Sequence, residues 1–148
     1  MVGYKKNSAV SKYRQGSSSE VEYAPPHRLV QMLMEGALDR IAAAKGDIER
    51  KDIEARSGQI TWAISIVDGL RASLNLEVGG EIAANLDRLY EYMIRRLGEA
   101  NAHNDIVPLD EVASLLKELK GAWDAMPENI RSARSIEEIA EIAASEGR

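Results

Sequence analysis

The sequence predicts an all-α protein: an antiparallel four-helix bundle with a mobile N-terminal arm and a short C-terminal helical extension. Three observations lead there. Four stretches repeat apolar residues at spacings of three and four, the period of one helix face. Good helix formers (Ala, Leu, Glu, Arg) dominate, while Phe is absent and aromatic residues make up only 5%. The four prolines fall only at the edges of those stretches, where a missing amide costs a helix least. A chain of 148 residues with 45% apolar content suits one domain with a core of ordinary size. The expected division is arm 1–24, bundle 25–126 and extension 127–148.

Residues Met1–Tyr23 are polar and mildly basic, carry the Ser17–Ser18–Ser19 cluster and keep no period, which reads as a mobile arm. Pro25–Pro26 then sets φ for a first helical turn. Leu29, Val30, Leu33, Met34, Ala37, Ile41, Ala44 and Ile48 stay on one face, and Ile48 keeps phase beyond Gly46, so the first helix is expected to run to about Arg50. Asp52 is the expected N-cap of the second helix after a short turn at Lys51, which makes the two helices antiparallel. In the second helix Ile53, Ile60, Ala63, Ile64, Val67, Leu70 and Leu74 form the core face. Asn75–Gly80 is expected to interrupt the pattern, its two glycines being free to take positive φ. The third helix carries Ile82, Leu86, Leu89, Met93, Leu97 and Ala100. After the polar link Asn101–Asp105, Pro108 suits a helix start, and Leu109, Val112, Leu116, Leu119, Trp123 and Met126 repeat at three and four residues, the seam of a bundle packed near 20°. Pro127 closes that helix. Beyond it Ser135 could cap a short segment with Ile136, Ile139, Ala140 and Ala143 in phase, a piece too short to be stable without tertiary contacts.

Composition and motifs argue against several function classes. A net charge of −5 with Lys and Arg interspersed among Asp and Glu offers no basic face for nucleic acid. No apolar run approaches the roughly 20 residues needed to cross a bilayer, and no apolar segment follows Lys5 and Lys6. The absence of cysteine removes disulfides and thiolate metal sites and fits the cytosol. The expected location is therefore cytoplasmic, without membrane insertion. No catalytic residue, metal or cofactor is expected: the paired Glu-x-x-His motifs of di-iron bundles are missing, Glu99 and His103 form a single pair at a helix end, and His27 and His103 read as solvated terminal histidines. Sequence-adjacent carboxylates such as Asp110 and Glu111 diverge on a helix and make no acid–base dyad.

What the core stripes leave over points to binding. Trp62 and Ile66 are four apart and lie about 100° or more from the centre of the second helix's core face. Tyr90 and Ile94, also four apart, flank the third helix's stripe by roughly 60° to 90°. Apolar pairs left on two adjacent helices suggest an exposed groove, suited to an amphipathic helical partner. A second copy of the chain is the alternative occupant, which would make the protein a homo-oligomeric structural or interaction bundle with weak self-association.

Two segments carry a family likeness: APPHRLVQMLMEGAL (Ala24–Leu38), with its Gln31-x-Leu33-x-Glu35-Gly36 turn, and SLNLEVGGEIAANLDRLYEYMIRRLGEAN (Ser73–Asn101), with its Gly79-Gly80-Glu81-Ile82-Ala83 helix start. They resemble the flagellin-specific export chaperones, the FliS family, over roughly Tyr13 to Trp123. The resemblance implies a cytoplasmic chaperone that binds the disordered C-terminal segment of flagellin, prevents premature polymerisation and helps deliver it to the flagellar type III export gate, without ATP. It also implies that a tyrosine upstream of the first helix covers the groove in the free protein, and Tyr13 matches by position, with Tyr4 and Tyr23 as rivals. The expected flagellin-binding residues are therefore Tyr13, Trp62, Ile66, Tyr90 and Ile94. Two departures stand out: Met34 where many relatives carry an aromatic, and Ala24-Pro25-Pro26 in place of Ala-Ser-Pro, which removes a capping hydroxyl.

Overall fold

The computed structural model describes residues 24–127; the arm and the C-terminal extension lie outside them. Four helices follow in order, α1 (Pro26–Glu49), α2 (Ile53–Ala72), α3 (Leu76–His103) and α4 (Ile106–Asp124), and there is no strand among the described residues. Each helix packs on two others, α1 on α2 and α4, and α3 on α2 and α4. This closes an antiparallel four-helix ring around one core.

Local chemistry places the helix ends. α1 runs through Gly46 as its phase predicts, and Lys51 takes the left-handed conformation (φ 59) that reverses the chain. The Asp52 side chain accepts the Ala55 amide at 3.1 Å and starts α2, satisfying one of the amides a helix start leaves open. Asp105 caps α4 in the same way through the Val107 amide at 3.0 Å. Left-handed Asn104 (φ 53) turns the chain out of α3.

The start of α3 differs from expectation. Asn75 accepts the Val78 amide at 3.1 Å and begins the helix at Leu76, ahead of the glycines. Only Gly80 breaks the helical path, at φ 55 and ψ −131, a conformation that glycine tolerates and a Cβ opposes. Gly79 remains helical, with room for no side chain: a Cβ there would come within 2.6 Å of the Ala83 Cβ.

The core is one continuous cluster, with Leu33, Met34 and Ile41 from α1, Ile60, Val67 and Leu70 from α2, Met93 and Leu97 from α3, and Leu109, Val112 and Leu116 from α4. Two residues expected in the core are instead exposed: Ile53, the first residue of α2, and Ile82, just past the break at Gly80 in α3. None of the described helices is long and apolar enough to cross a membrane.

The end where α1 begins and α4 finishes is held by a reciprocal pair. Pro25 gives α1 no side-chain cap. His27, expected to be solvated, is instead 2% exposed. Its ring stacks on Trp123, 5.1 Å between centroids and 9° from parallel, and its Nε2 donates to the Trp123 carbonyl oxygen at 2.7 Å. The Trp123 indole N–H donates back to the His27 carbonyl at 2.9 Å. Terminal position suggested solvent; α4's last turn covers it.

Two glycine substitutions separate strain from propensity. Gly80→Ala is expected to destabilise the protein by about 1–3 kcal/mol because φ there is positive. Gly98→Ala, at a helical site with open space around it, should stabilise it by about 0.5–1 kcal/mol. Chemical denaturation of both variants against the parent checks the signs.

Candidate functional site

Placement of the expected binding residues follows from how wide a face each helix buries. In a ring each helix is covered from two sides, so even a position about 100° from the centre of its expected core stripe, such as Ile66, can be sealed, while one further round, such as Trp62, sits at a seam. Ile66 is 1% exposed and Tyr90 3%, and both belong to the core cluster. The expectation that they remain uncovered is therefore corrected. Ile94 is partly buried against that core. Trp62, by contrast, is 46% exposed. Tyr13 lies outside the described residues.

Trp62 stands on the α1 side of α2, where the Arg40 guanidinium lies 4.8 Å from its ring centroid. A cation over an indole face orders the ring while leaving its other surfaces open to a partner. Ile94 belongs to the opposite side of α2: it shares the flank of α3 that carries Asp87 and Asn101, and those residues meet α2 through Arg71 and Arg56. The four residues read as a single groove are thus divided between the core and two separate seams.

Polar pairs lock the seams. Between α2 and α3, Arg71 donates to Asp87 through Nε at 2.7 Å and lies 3.5 Å from a Glu91 oxygen, and hydrogen bonding to Arg71 holds the Asp87 carboxyl below its ordinary range. At the far end buried Arg56 donates to Asn101 at 3.2 Å and to Asn104. Between α3 and α4, Glu111 accepts from the Tyr92 hydroxyl at 2.7 Å and from Arg96 Nε at 2.8 Å, hydrogen bonds that lower the carboxyl pKa and raise that of the phenol. Each carboxylate is already matched to a cation or donor, so these groups fix register and supply no poised acid or base. No group of three or more metal-ligating side chains occurs among the described residues.

Three large apolar side chains near the start of α3, Leu76, Val78 and Ile82, are exposed, Ile82 at 73%. Ile82 keeps the phase of Met93, eleven residues and three turns away, which is why it read as core. The detectable signal was length: α3 continues past the point where α2 ends.

The family model described as "Flagellar protein FliS" matches residues 9–130, a span that contains the whole bundle. The chain belongs to the FliS family. Among its relatives, the flagellar secretion chaperone FliSB of Pseudomonas aeruginosa is 52% identical over 119 residues, covering 80% of this chain and 94% of the relative. The flagellar secretion chaperone FliS of Salmonella typhimurium is 44% identical over 118 residues, 78% of this chain and 87% of the relative. That of Vibrio cholerae is 39% identical over 109 residues, 74% and 80% respectively. FliS proteins are flagellar export chaperones and not enzymes, in keeping with a bundle whose carboxylates are structural partners.

Burial of Tyr90 predicts an alkaline signature. Loss of solvation pushes its phenol up to about 12, above the ordinary value near 10. The unfolded chain therefore ionises this tyrosine first, so the stability that its burial favours is complete below about pH 10 and is lost as pH rises through 12. Denaturation between pH 9 and 11 is expected to give a shallower loss of stability for Tyr90→Phe than for the parent; equal slopes would contradict this origin.

Proposed function

We propose that this FliS protein acts in the cytoplasm, binds the disordered C-terminal segment of flagellin, keeps it from polymerising early and assists its delivery to the flagellar type III export gate. Membership of the family over the complete bundle carries the reading. The relatives' shared description as flagellar secretion chaperones supports a secreted flagellar client. A disordered end that makes helical contacts in a filament exposes an apolar face beforehand. Covering that face on a preformed bundle removes the hazard, while the entropy of ordering the client keeps release within reach.

On the bundle, Trp62 is the anchor best suited to such a client. It is an aromatic ring with free surface, steadied by Arg40, and large amphipathic anchors of this kind dominate helix-in-groove interfaces. Ile94 contributes from the second seam. Ile66 and Tyr90 enter only as the packed layer beneath these contacts. Tyr13 is assigned the covering role in the free protein, yielding to the client on binding.

Titration with a flagellin C-terminal peptide tests this. The full chain should form a 1:1 complex by mass, and Trp62→Asp should weaken it roughly 10- to 100-fold, equivalent to about 1.4–3 kcal/mol, with helicity unchanged. A peptide that leaves the mass unaltered, or a protein that only self-associates, contradicts the reading. Tyr13→Ala should raise the association rate; an unchanged rate and affinity would remove the cover from the account.

A further inference from the structure

Most arginines that bridge or brace the helices reach a carboxylate: Arg50 that of Asp47 at 2.8 Å, Arg71 that of Asp87 at 2.7 Å and Arg96 that of Glu111 at 2.8 Å. Arg40 does not. It is partly exposed and has no ion pair or hydrogen bond among the described residues, its contact being the Trp62 ring at 4.8 Å. A guanidinium set over a ring uses its face, whereas its N–H donors lie in its own plane. The stacking therefore occupies none of them. Asp39, the carboxylate beside Arg40 in sequence, is turned about 100° away round α1. A second cation–ring pair, Arg95 over Tyr92 at 5.4 Å, differs because the Tyr92 hydroxyl is held by Glu111 as part of the α3–α4 lock. Around Trp62 there is room instead. Gly58 and Ser65, one turn to either side of it on α2, are small and uncharged, and a Cβ added at Gly58 would meet nothing within 4 Å.

We infer that Arg40 and Trp62 form a two-part recognition site, in which Arg40 binds a carboxylate of the client through paired hydrogen bonds while an apolar client side chain three or four residues away packs on the indole. Desolvation selects this occupant. A purely apolar segment laid on Trp62 would strip water from the adjoining guanidinium and return no acceptor, which is costly. A segment with Asp or Glu beside its apolar anchor covers the ring and satisfies the cation, since a carboxylate matches the planar fork at two points and such charge-assisted bonds are about twice as strong as neutral ones. The spacing follows from the pair itself. With the guanidinium 4.8 Å from the ring, the two contacts lie side by side at about the 5–6 Å that separates side chains three or four apart on a helix. Arg40 thereby adds specificity to the client binding proposed above, on which this assignment rests: an acidic amphipathic segment is preferred to an equally apolar neutral one.

The full chain is titrated with a flagellin C-terminal peptide and with versions of it in which each Asp or Glu is replaced in turn by Asn or Gln. Arg40→Gln should bind the unmodified peptide about tenfold more weakly than the parent at unchanged helicity, and Arg40→Lys, which keeps the charge but not the fork, should fall between them. One acidic replacement should weaken the parent by the same factor and leave Arg40→Gln no weaker than before. The difference between parent and Arg40→Gln should shrink as ionic strength rises. Equal affinity of Arg40→Gln and parent would overturn the inference, and so would a loss that couples to no acidic replacement, which would leave Arg40 as a support for the ring alone. A parent that binds no peptide would remove the chaperone reading, and this assignment with it.

Discussion

Every helix of this bundle must serve two neighbours at once, and that constraint decides which apolar residues disappear and which remain. A helix packed on one partner buries a narrow seam; a helix in a closed ring buries a face more than 100° wide. Ile66 and Tyr90 fall within that width and are sealed into the shared core. Trp62 falls just outside it and keeps nearly half its surface. The difference between structural and available apolar side chains is thus about 40° of helix rotation, the angular offset of residues four apart.

The ring is closed at its ends by polar chemistry that compensates for awkward starts. α1 begins at Pro25–Pro26 without a capping side chain, and the mutual hydrogen bonds and ring stacking of His27 and Trp123 tie that end to the last turn of α4. At the other end buried Arg56 spans to Asn101 and Asn104.

Much of this was readable from the residues. The 3–4 spacing of α4, the continuation of α1 through Gly46 and the capping role of Asp52 all follow from local rules and stand in the structure. The departures share one cause, which is that local periodicity contains no information about neighbours. Ile82 keeps core phase but stands exposed just past the break at Gly80; Tyr90 lies off the stripe centre but is sealed in the core. His27 looked solvated from its place in a first turn, and only the register of α1 against α4 puts Trp123 over it. Asn75 opens a stretch whose glycines read as a break, yet its side chain caps the helix that follows. The likeness of the Ala24–Leu38 and Ser73–Asn101 segments to the FliS family proved the more direct guide to function.

The chain's two tryptophans offer the most direct test that an open seam, and not the core, receives the client. Indole N–H resonances of Trp62 and Trp123 can be followed while the flagellin C-terminal peptide is added. The account predicts a saturating shift of the Trp62 signal with that of Trp123, held by the His27 carbonyl, unchanged. A stationary Trp62 signal beside a shifting Trp123 signal would contradict it.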